Sequence, residues 1–294
     1  MSATILDGRA LATTLRGELA QEVAAFQERQ GTTPTLAVVR AGEDPASVSY
    51  ARAIAKTCEQ VGVGFSAHIL PAEADEAQIV ALVADLSRAP TVHGIMIQEP
   101  LPKGVRPTAV LEALAPDKDV DGVHPVNAGR LAQAAPAGRG EEPEDYFVPA
   151  TPAGGMEILK RYGVSLDGKH AVVVGRSNIV GKPMALLLLR QNATVTICHS
   201  RTADLAGVCR SADLLVAAVG RARMIKGDWV KPGAVVVDFG VNFEEGKMCG
   251  DVDFDEAVQV AGMITPVPGG TGPMTNVMLM RNVLEAARRQ VGGR

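Results

Sequence analysis

The stretch "HAVVVGRSNIVGKP", residues 170–183, decides the fold. An apolar run ends in Gly175, a polar turn follows, and Gly181-Lys182-Pro183 opens a second apolar run, "KPMALLLLRQ" at 182–191. A strand that feeds a helix through a glycine turn is the opening unit of a doubly wound α/β domain. Gly175 and Gly181 permit a tight turn and a close backbone approach. The helix N-terminus then offers free N–H groups and a positive dipole end to a phosphate. The glycine pattern is incomplete, because Ser177 holds the place of the second glycine. Taken alone, the turn reads either as a nucleotide site or as an ordinary strand–helix junction.

The surrounding sequence repeats the alternation. "TVTIC" (194–198), "DLLVAAVG" (213–220) and "GAVVVDFG" (233–240) read as further strands; "GGMEILKRYG" (154–163) and "GPMTNVMLMRNVLEAARRQ" (272–290) read as helices. Upstream, "TLAVVRAG" (35–42), "GFSAHIL" (64–70) and "VHGIMIQ" (92–98) are strands separated by helices over 45–61 and 75–89. Strands divided by helices predict parallel pairing. Between the two series, "AQAAPAGRGEEPEDYFVPATP" (132–152) is rich in Ala, Pro, Gly and acids and reads as an irregular connection. The expectation is two α/β domains flanking a cleft, the default ligand site. Residues 1–148, completed by the helix at 273–294, form the first; residues 149–272 form a Rossmann-like second.

Composition narrows the function classes. The 294-residue chain is 47% hydrophobic and only 3% aromatic, with a net charge of −4 and no long basic run. That argues against a nucleic-acid surface, which needs cationic faces or aromatic platforms. The N-terminus lacks the basic and apolar regions of a signal peptide, and no apolar run is long enough to span a membrane, so a cytoplasmic protein is expected. Cys58, Cys198, Cys209 and Cys249 are scattered and read as reduced thiols. The five histidines form no ligand cluster, and no bound metal is expected.

The strand "TVTIC" ends in Cys198, His199, Ser200, Arg201 and Thr202. NAD-binding folds carry a carboxylate near this point for the ribose hydroxyls. Here there is none, and Arg176 lies in the preceding turn. A site with Arg176 and Ser200 in place of an acid suits the extra 2′-phosphate of NADP. His199 and Arg201 read equally well as a solvated loop end.

Three other segments are unusual: "IQEPLP" (97–102), "PDKDVDGVHPVNAGRL" (116–131) and "TPVPGGTGPMT" (265–275). With "GEDPAS" (42–47) followed by Tyr50, and with "GRSNIVGKP" (175–183), they occur in an order that resembles the methylenetetrahydrofolate dehydrogenase/methenyltetrahydrofolate cyclohydrolase family, in its bacterial bifunctional form. The resemblance covers almost the entire chain. It implies a folate-binding N-terminal domain, an NADP-binding C-terminal domain and a homodimer. The implied reactions are hydride transfer from 5,10-methylenetetrahydrofolate to NADP⁺, then addition of water to the methenyl cation to give 10-formyltetrahydrofolate. The resemblance further implies that Tyr50 packs on the folate, that Gln98 assists catalysis and that Asp121 hydrogen-bonds the N–H edge of the pterin. Asp119 remains open as a turn-former or as that ligand. Gly175, Arg176, Ser177, Ser200 and Val241 match positions lining the NADP site; Pro100, Pro268, Gly269 and Gly270 match the folate side.

The helix at 45–61 carries the main departure. At about 100° per residue, Val48, Ala51, Ala55 and Cys58 fall on one stripe, expected to face the core. Arg52, Lys56 and Glu59 fall on another, where mutual ion pairing is the simple explanation. Tyr50, Ile54, Thr57 and Val61 share a third. The family pattern is a Tyr followed four positions later by a catalytic lysine, and gapless anchors from Asp44 to Gly62 put Ile54 at that lysine. Lys56 matches the family's second lysine and lies about 120° around the helix from Tyr50. Isoleucine neither titrates nor hydrogen-bonds, so hydrolysis of the methenyl cation is in doubt. The family's Gln-Leu-Pro-Leu-Pro turn reads Gln98-Glu99-Pro100-Leu101-Pro102 here. Glu99 is either a substitute acid/base or a solvated side chain.

Overall fold

The computed structural model describes residues 3–136 and 145–292. The acidic part of the expected connection, 137–144, lies outside them. In chain order the first half comprises β1 (Thr4–Ile5), α1 (Gly8–Gln30), β2 (Thr35–Ala41), α2 (Pro45–Val61), β3 (Gly64–Leu70), α3 (Glu76–Arg88), β4 (Gly94–Ile97), α4 (Pro107–Glu112) and α5 (Pro125–Gln133). The second half comprises α6 (Ala150–Arg161), β5 (His170–Val174), α7 (Gly181–Arg190), β6 (Thr194–Cys198), α8 (Leu205–Arg210), β7 (Leu214–Ala217), β8 (Val235–Asp238), β9 (Asn242–Glu244), β10 (Lys247–Cys249), α9 (Phe254–Ala257), β11 (Met263–Ile264) and α10 (Thr271–Gly292).

The chain divides into two compact units. One holds residues 13–130, 145–150 and 276–292. Its parallel sheet has the order β3-β2-β4, with Thr35 opposite Gly64 and Leu36 opposite Gly94. The central strand β2 is buried along its length except at its two ends, which is why it reads as a nearly unbroken apolar run. Ala37, Val39 and Ile95 pack with Ile79, Val83 and Leu86 of α3 in one core. Asp75 and Gln78 close α3 with reciprocal side-chain bonds to the helix start. From α10, Asn282 donates to the carbonyls of Val120 (2.8 Å) and Val148 (3.0 Å), and Gln290 donates to that of His93 (2.8 Å).

The other unit holds residues 3–12, 131–136 and 151–275. Its six strands are all parallel in the order β1-β11-β8-β7-β5-β6. Successive side chains of a strand face opposite sides of the sheet. Val172, Val174, Leu215, Ala217 and Val236 therefore enter one core, and Ala171, Val173, Leu214, Val216 and Val237 the other. From β5 the chain passes to β6 on one side and then to β7 on the other. The strand order thus reverses between β5 and β7, the point where open α/β sheets bind ligands beyond the strand carboxyl ends. The first strand, Thr4–Ile5, pairs with Met263–Ile264, and β9 and β10 form an antiparallel hairpin. Neither feature was expected from the sequence.

Candidate active site and cofactor site

The acid-rich loop after α4 separates its two central carboxylates by role. Asp119 is fully buried, and its oxygens accept from the N–H groups of Val123 (3.1 Å) and His124 (2.7 Å) and from Asn127 Nδ2 (2.7 Å). It shapes the turn that leads into α5. Asp121, two residues on, is half-buried, and its carboxylate accepts no hydrogen bond among the described residues. Burial, and then the charge of Asp119, pushes its pKa up to about 7. The phenol of Tyr50 on α2 feels that carboxylate: burial first, and Asp121 second, push its pKa upward. Tyr50 is therefore a neutral phenol near neutral pH, beside an acid whose lone pairs are free.

Asp44 caps α2 by accepting from Ser47 N (2.9 Å), Pro45 follows, and Gly62 ends the helix in the left-handed region. The buried side chains are Ser47, Ile54, Thr57, Cys58 and Val61. This corrects the expected core stripe, since Val48, Ala51 and Ala55 are only half-buried. For Ala51 and Ala55 the cause is area: alanines contribute little apolar surface, while Ile54 and Val61 bring enough to set the buried face. Thr57 is tolerated there because its hydroxyl donates to the Ala53 carbonyl (2.9 Å). Ile54 has no exposed surface. Arg52, Lys56 and Glu59 are exposed and form no ion pair among the described residues, so the expected mutual pairing is absent.

Gln98 follows β4 and is 4% exposed. Its Nε2 donates to the Ser47 carbonyl (3.3 Å), while its Oε1 is buried with no partner. Such an orphaned acceptor is unusual in a protein interior. The Ser47 hydroxyl lies 3.0 Å from the Glu99 carbonyl, joining the start of α2 to the Gln98–Pro102 turn. The Glu99–Pro100 peptide is cis, and the Glu99 side chain is exposed, with no ion pair among the described residues. Ser47 was not singled out from sequence, since its contacts with Gln98 and Glu99 lie some fifty residues away.

In the other unit, Gly175, Arg176 and Ser177 follow β5, Ser200 follows β6 and Val241 follows β8, so all lie at the carboxyl edge of one parallel sheet. Gly175 has φ +133°, and a Cβ there would collide with the Ala218 carbonyl oxygen; one at Gly181 would collide with the carbonyl of Gly175. Ser177 Oγ accepts from Val180 N (3.1 Å) and Gly181 N (3.3 Å). This revises the expected phosphate donors: the start of α7 is already capped from within. The free donors are the backbone N–H groups of Arg176, Ser177, Asn178 and Ile179, which have no acceptor among the described residues. Arg176 is exposed, and its guanidinium is likewise unengaged there. Successive free N–H groups beside a guanidinium fit a phosphate. After β6, Arg201 N donates to His199 Nδ1 (3.2 Å), and the next acid along the chain, Asp204, is committed to capping α8 through Gly207 N (3.1 Å). Val241 is 60% exposed. Pro268, Gly269 and Gly270 follow β11 in this same unit, with the Gly269 carbonyl accepting from Arg9 N (2.9 Å).

Two family models match the chain: the tetrahydrofolate dehydrogenase/cyclohydrolase catalytic domain over residues 6–121, and the NAD(P)-binding domain of the same enzymes over residues 149–291. The chain belongs to the tetrahydrofolate dehydrogenase/cyclohydrolase family. Among its relatives is the bifunctional protein FolD of Roseiflexus sp., 56% identical over 295 residues, covering 100% of this chain and 99% of the relative. The crystal structure of the Campylobacter jejuni bifunctional enzyme FolD superposes with a TM-score of 0.93 at 42% identity, over 98% of this chain and 99% of that one. The Trypanosoma brucei methylenetetrahydrofolate dehydrogenase-cyclohydrolase, solved with NADP cofactor and inhibitor, gives 0.91 at 37% identity, over 99% of each chain. The bifunctional family thus accounts for both units. Within the first unit, Ile54 is a fully buried apolar side chain one helical turn from Tyr50.

Proposed function

We propose that this protein oxidises 5,10-methylenetetrahydrofolate to the methenyl cation with NADP⁺, and that it hydrolyses that cation little faster than solvent does. The observation that carries the reading is a contrast around α2: Asp121, beside Tyr50, and Gln98, bonded to the Ser47 carbonyl, offer unpaired acceptors, while Ile54 is sealed and apolar.

Each residue has a physical part. The free N–H groups of the 176–179 turn and the Arg176 guanidinium hold phosphate, and Ser200 extends that surface. Bound NADP⁺ supplies the hydride acceptor. Asp121 as a carboxylate accepts two hydrogen bonds at once, which suits the pterin N–H edge. Tyr50 packs against the folate. Removing a hydride needs orientation and no protein base. Adding water to the methenyl cation does need proton transfer, and general acid–base help of this kind is worth about 10² to 10⁴ in rate. Ile54 cannot give it, Tyr50 is held protonated, and Glu99 points to solvent. The homodimer and the cytoplasmic location implied by the resemblance belong to the same proposal; no helix among the described residues is long and apolar enough to cross a membrane.

The cofactor half has its own test. NADP⁺ should bind at least about tenfold more tightly than NAD⁺, the size expected of one or two charge-assisted hydrogen bonds to a phosphate. Arg176→Ala should narrow that gap by weakening NADP⁺ alone. Calorimetric titration of both nucleotides decides it, and equal affinities in the unmodified protein would contradict the assignment.

A further inference from the structure

We infer that Asp251 and Asp238 are positioning residues for the cofactor, acting through the loop that follows β7. The inference rests on the cofactor reading above. Asp251 is fully buried and Asp238 is 2% exposed. Asp251 Oδ2 accepts from Val219 N (2.6 Å) and Gly220 N (3.0 Å); its Oδ1 accepts from Arg221 N (2.8 Å) and Asn242 Nδ2 (2.9 Å). One carboxylate thus gathers three successive backbone N–H groups of a single loop and the side chain of the residue after Val241. Asp238, the last residue of β8, holds Asp251 in turn: its Oδ1 accepts from Asp251 N (3.1 Å) and Gly240 N (2.7 Å), and its Oδ2 from Val252 N (2.9 Å). Neither carboxylate has a cationic partner among the described residues.

The placement of this loop gives the arrangement its consequence. The loop leaves β7 at Ala218, whose carbonyl oxygen is the atom packed against Gly175. It therefore forms the wall beside the phosphate turn, at the reversal of strand order. Three successive N–H groups in a loop form a concavity that binds anions. Asp251 fills that concavity from the protein side. The loop keeps its shape, and its donors do not compete with the 176–179 turn for phosphate. Two buried carboxylates without a counter-cation are a costly way to obtain stability alone. They are explained by a wall whose backbone must hold one conformation.

The test is Asp251→Asn, which keeps the volume but sets an amide NH₂ against N–H donors. KM for NADP⁺ should rise about tenfold, kcat should change less than about twofold, and KM for the folate substrate should hold. A purely structural role would lower thermal stability and the active fraction, hence the apparent kcat, with KM for NADP⁺ unmoved. If Asp251→Asn does not fold, Asp238→Asn, which keeps one acceptor oxygen and acts at one remove from the loop, should raise KM for NADP⁺ about threefold. Direct NADP⁺ titration separates the layers. Tight binding by the unmodified protein with equal binding by the variant overturns this inference alone. No saturable binding by the unmodified protein overturns the cofactor reading and this inference with it.

Discussion

Replacing Asp121 by Ala should abolish measurable folate binding while leaving NADP⁺ affinity within about twofold. The carboxylate accepts no hydrogen bond among the described residues, whereas its neighbour Asp119 spends its oxygens on Val123, His124 and Asn127. A ligand's N–H edge is the partner that Asp121 lacks. Its pKa of about 7 adds a pH signature. Below that pH the free protein carries a neutral acid, which accepts less well, so KM for folate should rise as pH falls from 8 to 6; Asp121→Asn should flatten the profile. The stability effect has the opposite sign. The folded acid holds its proton at a higher pH than the unfolded one, so the folded state binds more protons between about pH 4 and 7, and stability falls as pH rises through that window. Asp121→Asn should therefore melt at a higher temperature than the unmodified protein at pH 8, although it binds folate poorly. Unchanged folate affinity in Asp121→Ala would make the acid a turn residue like Asp119.

Ile54→Lys should raise methenyl hydrolysis by about 10² to 10⁴ while dehydrogenase turnover changes much less. The new amine would stand one turn from Tyr50, in a place with no solvent exposure. Burial disfavours the ammonium form and lowers its pKa toward neutrality, as a base acting near pH 7 requires. Gln98 keeps an unpaired Oε1 in the same part of the fold, an acceptor for orienting such an amine. The variant should melt at a lower temperature, because an apolar core position receives a polar group. Glu99→Leu added to Ile54→Lys should contribute less than about threefold, since an exposed carboxylate is screened by solvent. If the unmodified protein already hydrolysed the cation strongly, and Glu99→Gln removed that activity, Glu99 would take the catalytic role and the account of Ile54 would fail.

Much of the fold was legible because the parallel strands are buried on both faces. β2, β5, β7 and β8 read as apolar runs bounded by glycine or turn residues, and no alternation was needed to find them. β1 was not legible: two residues carry no period, and their pairing with Met263–Ile264 lies some 260 residues away along the chain. The burial of α1 follows Ala12, Leu15, Leu19, Val23 and Phe26, a helical spacing that is present in the sequence but diluted by alanines and Gly17. Alanines misled the reading of α2 as well, where Ile54 proved to lie on the buried face. At the candidate site, the resemblance gave the pterin edge to Asp121 and left Asp119 open as a turn-former. Only the hydrogen bonds of Asp119 show which carboxylate is left free. Likewise the donors of the nucleotide turn could not be counted until Ser177 was seen to occupy the start of α7.

The most direct measurement follows NADPH formation and the methenyl product separately, on purified protein supplied with 5,10-methylenetetrahydrofolate and NADP⁺. The prediction is NADPH at an enzymic rate, with the methenyl cation accumulating and decaying no faster than in buffer. Methenyl hydrolysis that keeps pace with NADPH formation would contradict it.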